Sequence, residues 1–268
     1  MVVVILGRLH PFWLSGKLLY MQNKDTTQTN SSNNTLDGLF AVGAQFGFIK
    51  SRRHPSVKPF IFGVKNKMEI FDLEKTQESL ETALSFIETV GAKNGTILFV
   101  SGKNEAKEAV TSIATSINQP YVAGRFVGGT LTNFPEIKKR VEKLESLTDQ
   151  KEKGELMKYT KKERLLIDRE IAKLTVLFFG ISVMKHAPAV VVVIDSKKES
   201  IAVKEAHMMG IPVIALCGTD NNLTEVEYPV PANDSSRTSI EFFLRKIADH
   251  YKAGTLLKKD DVATVKAA

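Results

Sequence analysis

Six cationic side chains, Lys50, Arg52, Arg53, Lys58, Lys65 and Lys67, fall between Gly38 and Met68, and no acidic residue occurs between Asp37 and Glu69. Uncompensated cations at this density attract a polyanion, because each can neutralise a phosphate and release its condensed counterions. Phe46, Phe48, Phe60 and Phe62 interleave with them, and Pro55 and Pro59 stiffen the path. Aromatic faces stack on unpaired bases or anchor a partner peptide. The competing reading is a solvated basic loop whose phenylalanines are core; the missing acids favour nucleic acid for the cations and leave the rings open.

A second candidate surface is the run from Gly124 to Phe134. Its paired glycines, Gly128 and Gly129, permit close backbone approach, Thr130 and Asn133 supply polar groups, and Arg125 supplies a fixed cationic fork. Lys138, Lys139 and Arg140 carry the basic character into the following segment. A glycine turn leading into a helix capped by Thr132 or Asn133 accounts for the same residues almost as well.

Catalytic fingerprints fail. After the apolar run Ile97 to Val100 come Ser101, Gly102 and Lys103, with one glycine where a dinucleotide turn needs three, and Ile97 and Asn104 where a phosphate loop needs glycine and Ser or Thr. Asp195 ends a strong strand and is read as a cap of the next helix rather than a ribose or metal ligand. The five histidines, 10, 54, 186, 207 and 250, are scattered, and there is no nucleophile elbow or zinc-protease pair. Cys217, at the end of an apolar strand, reads as a buried small hydrophobe. No cofactor, metal or small-molecule substrate is expected.

The elements that must position these residues alternate short β-branched runs with amphipathic helices, the pattern of an α/β fold with a doubly wound, mainly parallel sheet. Phe60 to Phe71 reads as two short strands around Gly63 to Asn66. Asp72 caps a helix with Leu73, Leu80, Leu84 and Ile87 on one face, ended by Gly91 or Gly95. Strands follow at Thr96 to Val100, Tyr121 and Val122, Ala189 to Ile194, and Ile211 to Leu216; helices are expected around Val110 to Ile117, at Ile201 to Met209 and at Ser239 to Tyr251. Between the two βα halves, 135–178 is dense in Lys, Arg and Glu with narrow apolar stripes, and Thr160 with Glu163 forms a capping box. This predicts an inserted antiparallel helical hairpin, a coiled-coil arm apart from the core. The expected divisions are 1–35 as apolar leader and flexible tether, 36–134 and 179–253 as the two parts of the α/β domain, 135–178 as the arm, and 254–268 as a frayed tail.

Composition agrees. The 268 residues are 43% hydrophobic and 25% charged, so a full core can be buried. Lys and Arg total 37 against 30 Asp and Glu, a net charge of +7, which favours a polyanionic partner. The single cysteine excludes an internal disulfide framework and fits a reducing, cytoplasmic compartment. Arg8, His10, Pro11 and Lys17 interrupt the apolar leader, so neither a membrane span nor a secretory signal is expected. The working protein is expected to start at Met21, since an exposed apolar arm would invite aggregation.

Taken in order, several segments resemble the bacterial or organellar form of the small-subunit ribosomal protein S-two family. They are Gly43 to Gly47, Lys58 to Gly63, Asp72 to Thr76, Ile97 to Val100, Arg125 to Phe134, Ala202 to Ala206, Gly210 to Val213 and Pro231 to Asp234, covering about 36–253. The resemblance implies a flavodoxin-like or Rossmann-like domain with a projecting hairpin, bound to small-subunit rRNA at the junction of head and body beside neighbouring ribosomal proteins. It also implies a structural role in translation without catalysis, cytoplasmic rather than organellar, and in many bacteria a docking site for the mRNA-binding ribosomal protein S-one. Phe46 and Phe62, beside Gly47 and Gly63 in matching motifs, are the candidate partner-docking rings. Family members carry histidines around the Phe-Gly pair and a Trp-Asn-Pro triplet where this chain has Gln45, Phe48 and Arg53-His54-Pro55. A histidine-linked metal is therefore not carried over. The alternative is a nucleotide- or sugar-phosphate-binding enzyme on the same fold, which would need Gly102, Asp195 and Cys217 to line a ligand pocket.

Overall fold

The computed structural model describes residues 35–266. The leader, most of the tether and the expected start at Met21 lie outside the described residues. A compact unit begins at Leu39, within the first helix, and holds the two sheets and all the later elements.

A short helix, α1 (35–41), leads into a three-stranded antiparallel sheet of β1 (Phe46–Ile49), β2 (Ile61–Lys65) and β3 (Met68–Phe71), in the order β1-β3-β2. The hairpin turn falls later than Gly63 to Asn66. It is the pair Asn66 and Lys67, at φ 52° and 67°, because a two-residue turn that matches strand twist needs the left-handed region at both positions. β1 escaped the sequence reading, its four residues being too few to show a period.

The main sheet contains β4 (Ile97–Ser101), β5 (Tyr121–Ala123), β6 (Val190–Ile194), β7 (Val213–Cys217) and β8 (Tyr228–Pro231), all parallel, in the order β5-β4-β6-β7-β8. Starting from β4, this is the flavodoxin-like order, which narrows the expected doubly wound fold to one topology. β4, β6 and β7 are buried along their whole length. Alternate side chains serve different cores, as a strand period of two requires. Ile97, Phe99, Val192 and Ile214 pack in one core with α2 (Leu73–Ala92), α3 (Asn104–Ser116) and α7 (Arg237–Lys266). Leu98, Val100, Val191, Val193 and Cys217 pack in the other, with α6 (Ser200–Met208).

Local signals held where they were strong. The Asp72 carboxylate accepts from Glu74 N at 3.2 Å at the start of α2, and the Thr160–Glu163 capping box opens α5 (Lys161–Phe178). Two expectations change. α7 continues to Lys266, where a frayed tail was expected from Gly254. Gly254 lies against the Glu88 carbonyl and Gly91 against that of Tyr251, so α2 and α7 cross backbone to backbone where a side chain would not fit.

The arm is the second change. α4 (Phe134–Glu152) and α5 form the expected antiparallel pair, tied by the exposed ion pairs Lys143–Glu170 and Lys151–Asp168. Its root is not separate from the core. Ile137, Val141, Leu144, Leu174 and Phe178 are buried in the same cluster as Phe126, Ile181 and Val191, so the narrow stripes both pair the helices and extend one sheet face.

Candidate nucleic-acid interface

The basic stretch is laid out on β1, two 3-10 turns (Lys50–Arg52 and Pro55–Phe60) and the β2–β3 hairpin. Lys50, Arg52, Lys58, Lys65 and Lys67 are all exposed, and none has an ion pair among the described residues. Arg52 stands over the Phe48 ring at 5.7 Å. Arg53 differs: it turns inward and donates to Glu69 Oε1 at 2.9 Å, and the Glu69 side chain is 0% exposed. Five of the six cations thus face solvent, while the sixth mainly neutralises a buried carboxylate.

The module is fastened to the main sheet through the loop after β7. His54 N donates to Thr219 O at 2.8 Å, Phe48 N to Thr219 Oγ1 at 3.0 Å, and Leu223 N to Ser56 Oγ at 3.0 Å. This docking leaves a groove of about 410 Å³ between the 3-10 turns and the start of α6, lined among others by Arg52, His54, Ser196, Lys197, Ser200 and Lys204. A second, smaller hollow of about 250 Å³ is mainly apolar, with Phe46, Phe48, Met68 and Asp234 in its walls.

In the glycine loop, Arg125 and Asn133 are exposed. Thr130 is not available as an RNA contact, for it is 2% exposed and its hydroxyl donates to Val127 O at 2.6 Å. Neither Thr132 nor Asn133 caps α4 with its side chain. The loop is instead gathered around the buried Glu205 of α6, whose carboxylate accepts from Gly129 N (2.5 Å), Leu131 N (3.0 Å), Thr132 N (3.2 Å) and Thr132 Oγ1 (3.3 Å). Gly129, at φ 90°, makes this inward curl of N–H groups possible. Lys138, Lys139 and Arg140 are exposed on α4; Lys138 approaches Glu142 at 3.9 Å and Lys139 donates to Glu136 at 2.6 Å. Such exposed pairs exchange readily for a phosphate.

The rings divide as well. Phe62 is 82% and Phe46 43% exposed on the small sheet, where Ile49, Val64 and Met68 are also exposed. Phe48 and Phe60 are half-buried.

Sheets of this topology bind ligands at the crevice outside the carboxyl ends of the strands where strand order reverses, here β4 and β6. That crevice is filled from within. Lys103 Nζ lies 2.9 Å from Asp195 and 2.7 Å from Asp234, and it also donates to Asp234 O at 3.2 Å. Burial alone would lower the Lys103 pKa, but the charges and hydrogen bonds of Asp234 and Asp195 outweigh it and hold it above the usual lysine value. Burial pushes the Asp234 and Glu199 carboxyls up. Cys217 is fully buried and its thiol is pushed up to about 12 by burial, which removes it as a nucleophile. Asp195 accepts from Lys198 N at 3.1 Å in the turn ahead of α6 and is not the cap expected for that helix, whose N-cap is Glu199; its ion pair with Lys103 was not foreseen. Of the three positions an enzyme reading requires, Asp195 is held in an ionic plug with Lys103 and Asp234, Cys217 is buried, and Gly102 lies against the Glu199 carboxylate.

Sequence reasoning missed Lys197, Lys204, Lys103 and Glu205. The lysines carry no local pattern. Glu205 did carry one, as an acid at helical spacing with Ala202 and Ala206 on the buried face of α6, which demands internal partners.

The sequence profile of the family described as Ribosomal protein S2 matches residues 39–254. The chain is 40% identical over 227 residues to the small ribosomal subunit protein uS2 of Bifidobacterium longum (strain DJO10A), covering 83% of this chain and 79% of the relative. It is also 40% identical to the proteins of the same name from Mesoplasma florum, over 84% of each chain, and Psychromonas ingrahamii, over 83% of this chain and 91% of the relative. With a flavodoxin-like sheet whose ligand crevice is closed by its own side chains, and these matches along its length, the chain belongs to the ribosomal protein S2 family, structural and non-enzymatic proteins of the small ribosomal subunit.

Proposed function

We propose that this chain holds small-subunit rRNA at the head–body junction through phosphate contacts from the small antiparallel sheet and its 3-10 turns, with Arg125, Asn133 and the root of the arm as a second contact. The observation that carries this reading is the display of Lys50, Arg52, Lys58, Lys65 and Lys67 as exposed cations on one module. Phosphate contacts position a protein without reading sequence, which suits a structural constituent. Exchanging Arg52 and Lys58 for Glu should weaken incorporation into small subunits and reduce its salt dependence. Unchanged cosedimentation through a sucrose gradient at raised salt would reject the assignment.

The exposed face around Phe46 and Phe62 is the candidate docking patch for a partner protein, the mRNA-binding ribosomal protein S-one being the one the resemblance implies. Exposed rings beside other exposed apolar side chains support it. Photocrosslinkers at positions 46 and 62 in intact subunits should capture a protein; capture of RNA alone would remove the patch from the interface.

A further inference from the structure

We infer that the groove between the 3-10 turn Lys50–Arg52 and the first turns of α6 is a seat for the sugar-phosphate backbone of an RNA strand, with Arg52 and Lys204 as the two cations that hold it. The inference rests on the rRNA-binding reading above and adds a specific site to it, built from residues about 150 positions apart. Of the cations lining the groove, Arg53 is engaged with Glu69 at 2.9 Å and Lys197 with Asp220 at 3.0 Å. Arg52 and Lys204 are exposed and have no ion pair among the described residues. The groove's other acid, Glu225, accepts from Asn222 Nδ2 at 2.8 Å.

The result is a trough with two cations outside any ion pair among the described residues, with Ser196 and Ser200 also among its lining residues. At about 410 Å³ it has room for a phosphate with its sugar. Phosphate fits better than a carboxylate-bearing peptide because Arg52, whose guanidinium lies over the Phe48 ring at 5.7 Å, belongs to the same acid-free basic segment as the exposed cations Lys50 and Lys58. A strand leaving the groove would therefore meet further positive charge along its length, which a polyanion needs and a short acidic peptide does not. Arg53 acts here as a positioning residue that anchors the segment bearing Arg52.

Salt-washed small subunits depleted of this protein provide the test. The full-length chain and its Arg52→Gln/Lys204→Gln variant are titrated back over a range of KCl concentrations, with Lys107→Gln/Lys252→Gln as a charge-matched control and thermal unfolding as a check on folding. The groove variant should rebind about tenfold more weakly with a salt slope lower by about 1.5, near 0.7 to 0.9 for each lost phosphate contact. Irradiation at 254 nm should give a nucleotide adduct on the peptide containing Ser196 to Lys204 in the wild-type complex. Unchanged affinity and slope would overturn the groove while leaving the rRNA reading intact, and so would crosslinks from Lys204 to protein with no nucleotide adduct. Failure of the wild-type chain to rebind at all would instead strike the rRNA reading itself.

Discussion

The Arg53 guanidinium meets the fully buried Glu69 carboxylate of β3 at 2.9 Å, so two adjacent arginines in one basic run have different occupations. Arg52 points out and Arg53 holds the module together. Arg53→Gln should lower unfolding free energy by about 3 kcal/mol, since it strands a buried charge. Arg52→Gln should change stability by less than about 0.5 kcal/mol. Urea titrations of the two variants check this, and equal effects would show that the ion pair is not structural.

Glu205 gathers four donors from the glycine loop that carries Arg125 and Asn133. Glu205→Gln keeps the shape but turns an NH₂ group toward those donors, leaving buried N–H groups without an acceptor. The expected loss is about 2 kcal/mol. Amide exchange at Gly129, Leu131 and Thr132 should accelerate more than at the β6 amides, and uniform acceleration would show that Glu205 supports the whole core instead of the loop.

The ionic plug gives a pH signature. Asp234 has its pKa raised by burial, so its folded form keeps a proton that the unfolded chain releases as pH climbs through the usual carboxylate range. Its contribution is present below the unfolded pKa and lost as pH rises through the folded one. The stability of wild type minus that of Asp234→Asn should therefore fall with rising pH in that window and level off above it. Lys103, raised in the folded state, acts in the same sense at alkaline pH: its stabilisation persists up to the usual lysine range and fades above it. Chemical denaturation of wild type, Asp234→Asn and Lys103→Met across pH provides both curves, and parallel curves would mean that these groups are not coupled to folding.

The arm should be separable only in its outer part. Replacing 149–167 with a short Gly-Ser linker removes the exposed Lys151–Asp168 pair, worth no more than about 1 kcal/mol, and leaves the body folded. Removing 135–178 also takes away Ile137, Val141, Leu144, Leu174 and Phe178 and exposes one sheet face. Calorimetry should show a nearly unchanged Tm for the first variant and a large drop, or no cooperative transition, for the second.

Cys217 should stay unreactive toward Ellman's reagent in the native protein and react at the rate of global unfolding, because its thiol is buried and its pKa is pushed up to about 12. Fast labelling without denaturant would contradict the packing of β7.

Much of this protein is determined by local sequence. The alternation of β-branched runs with amphipathic helices specified a parallel sheet covered on both faces, because Val190 to Ile194 and Val213 to Cys217 are apolar at every position and must be buried on both sides. The Asp72 cap and the Thr160–Glu163 box specified helix starts, since their partners lie two or three residues away. The acid-free basic stretch was equally legible, as a count of charges needs no coordinates. Decisions that depended on distant partners were made by the tertiary structure. Which arginine is free turned on a carboxylate across a strand pairing, and Thr130 was lost as a contact because its loop curls around Glu205, 75 positions away. The crevice at β4 and β6 closed only when Lys103, Asp195 and Asp234 converged from three strand ends. A charge on a sequence has no direction, and only packing of the chain decides whether it faces a buried partner or water.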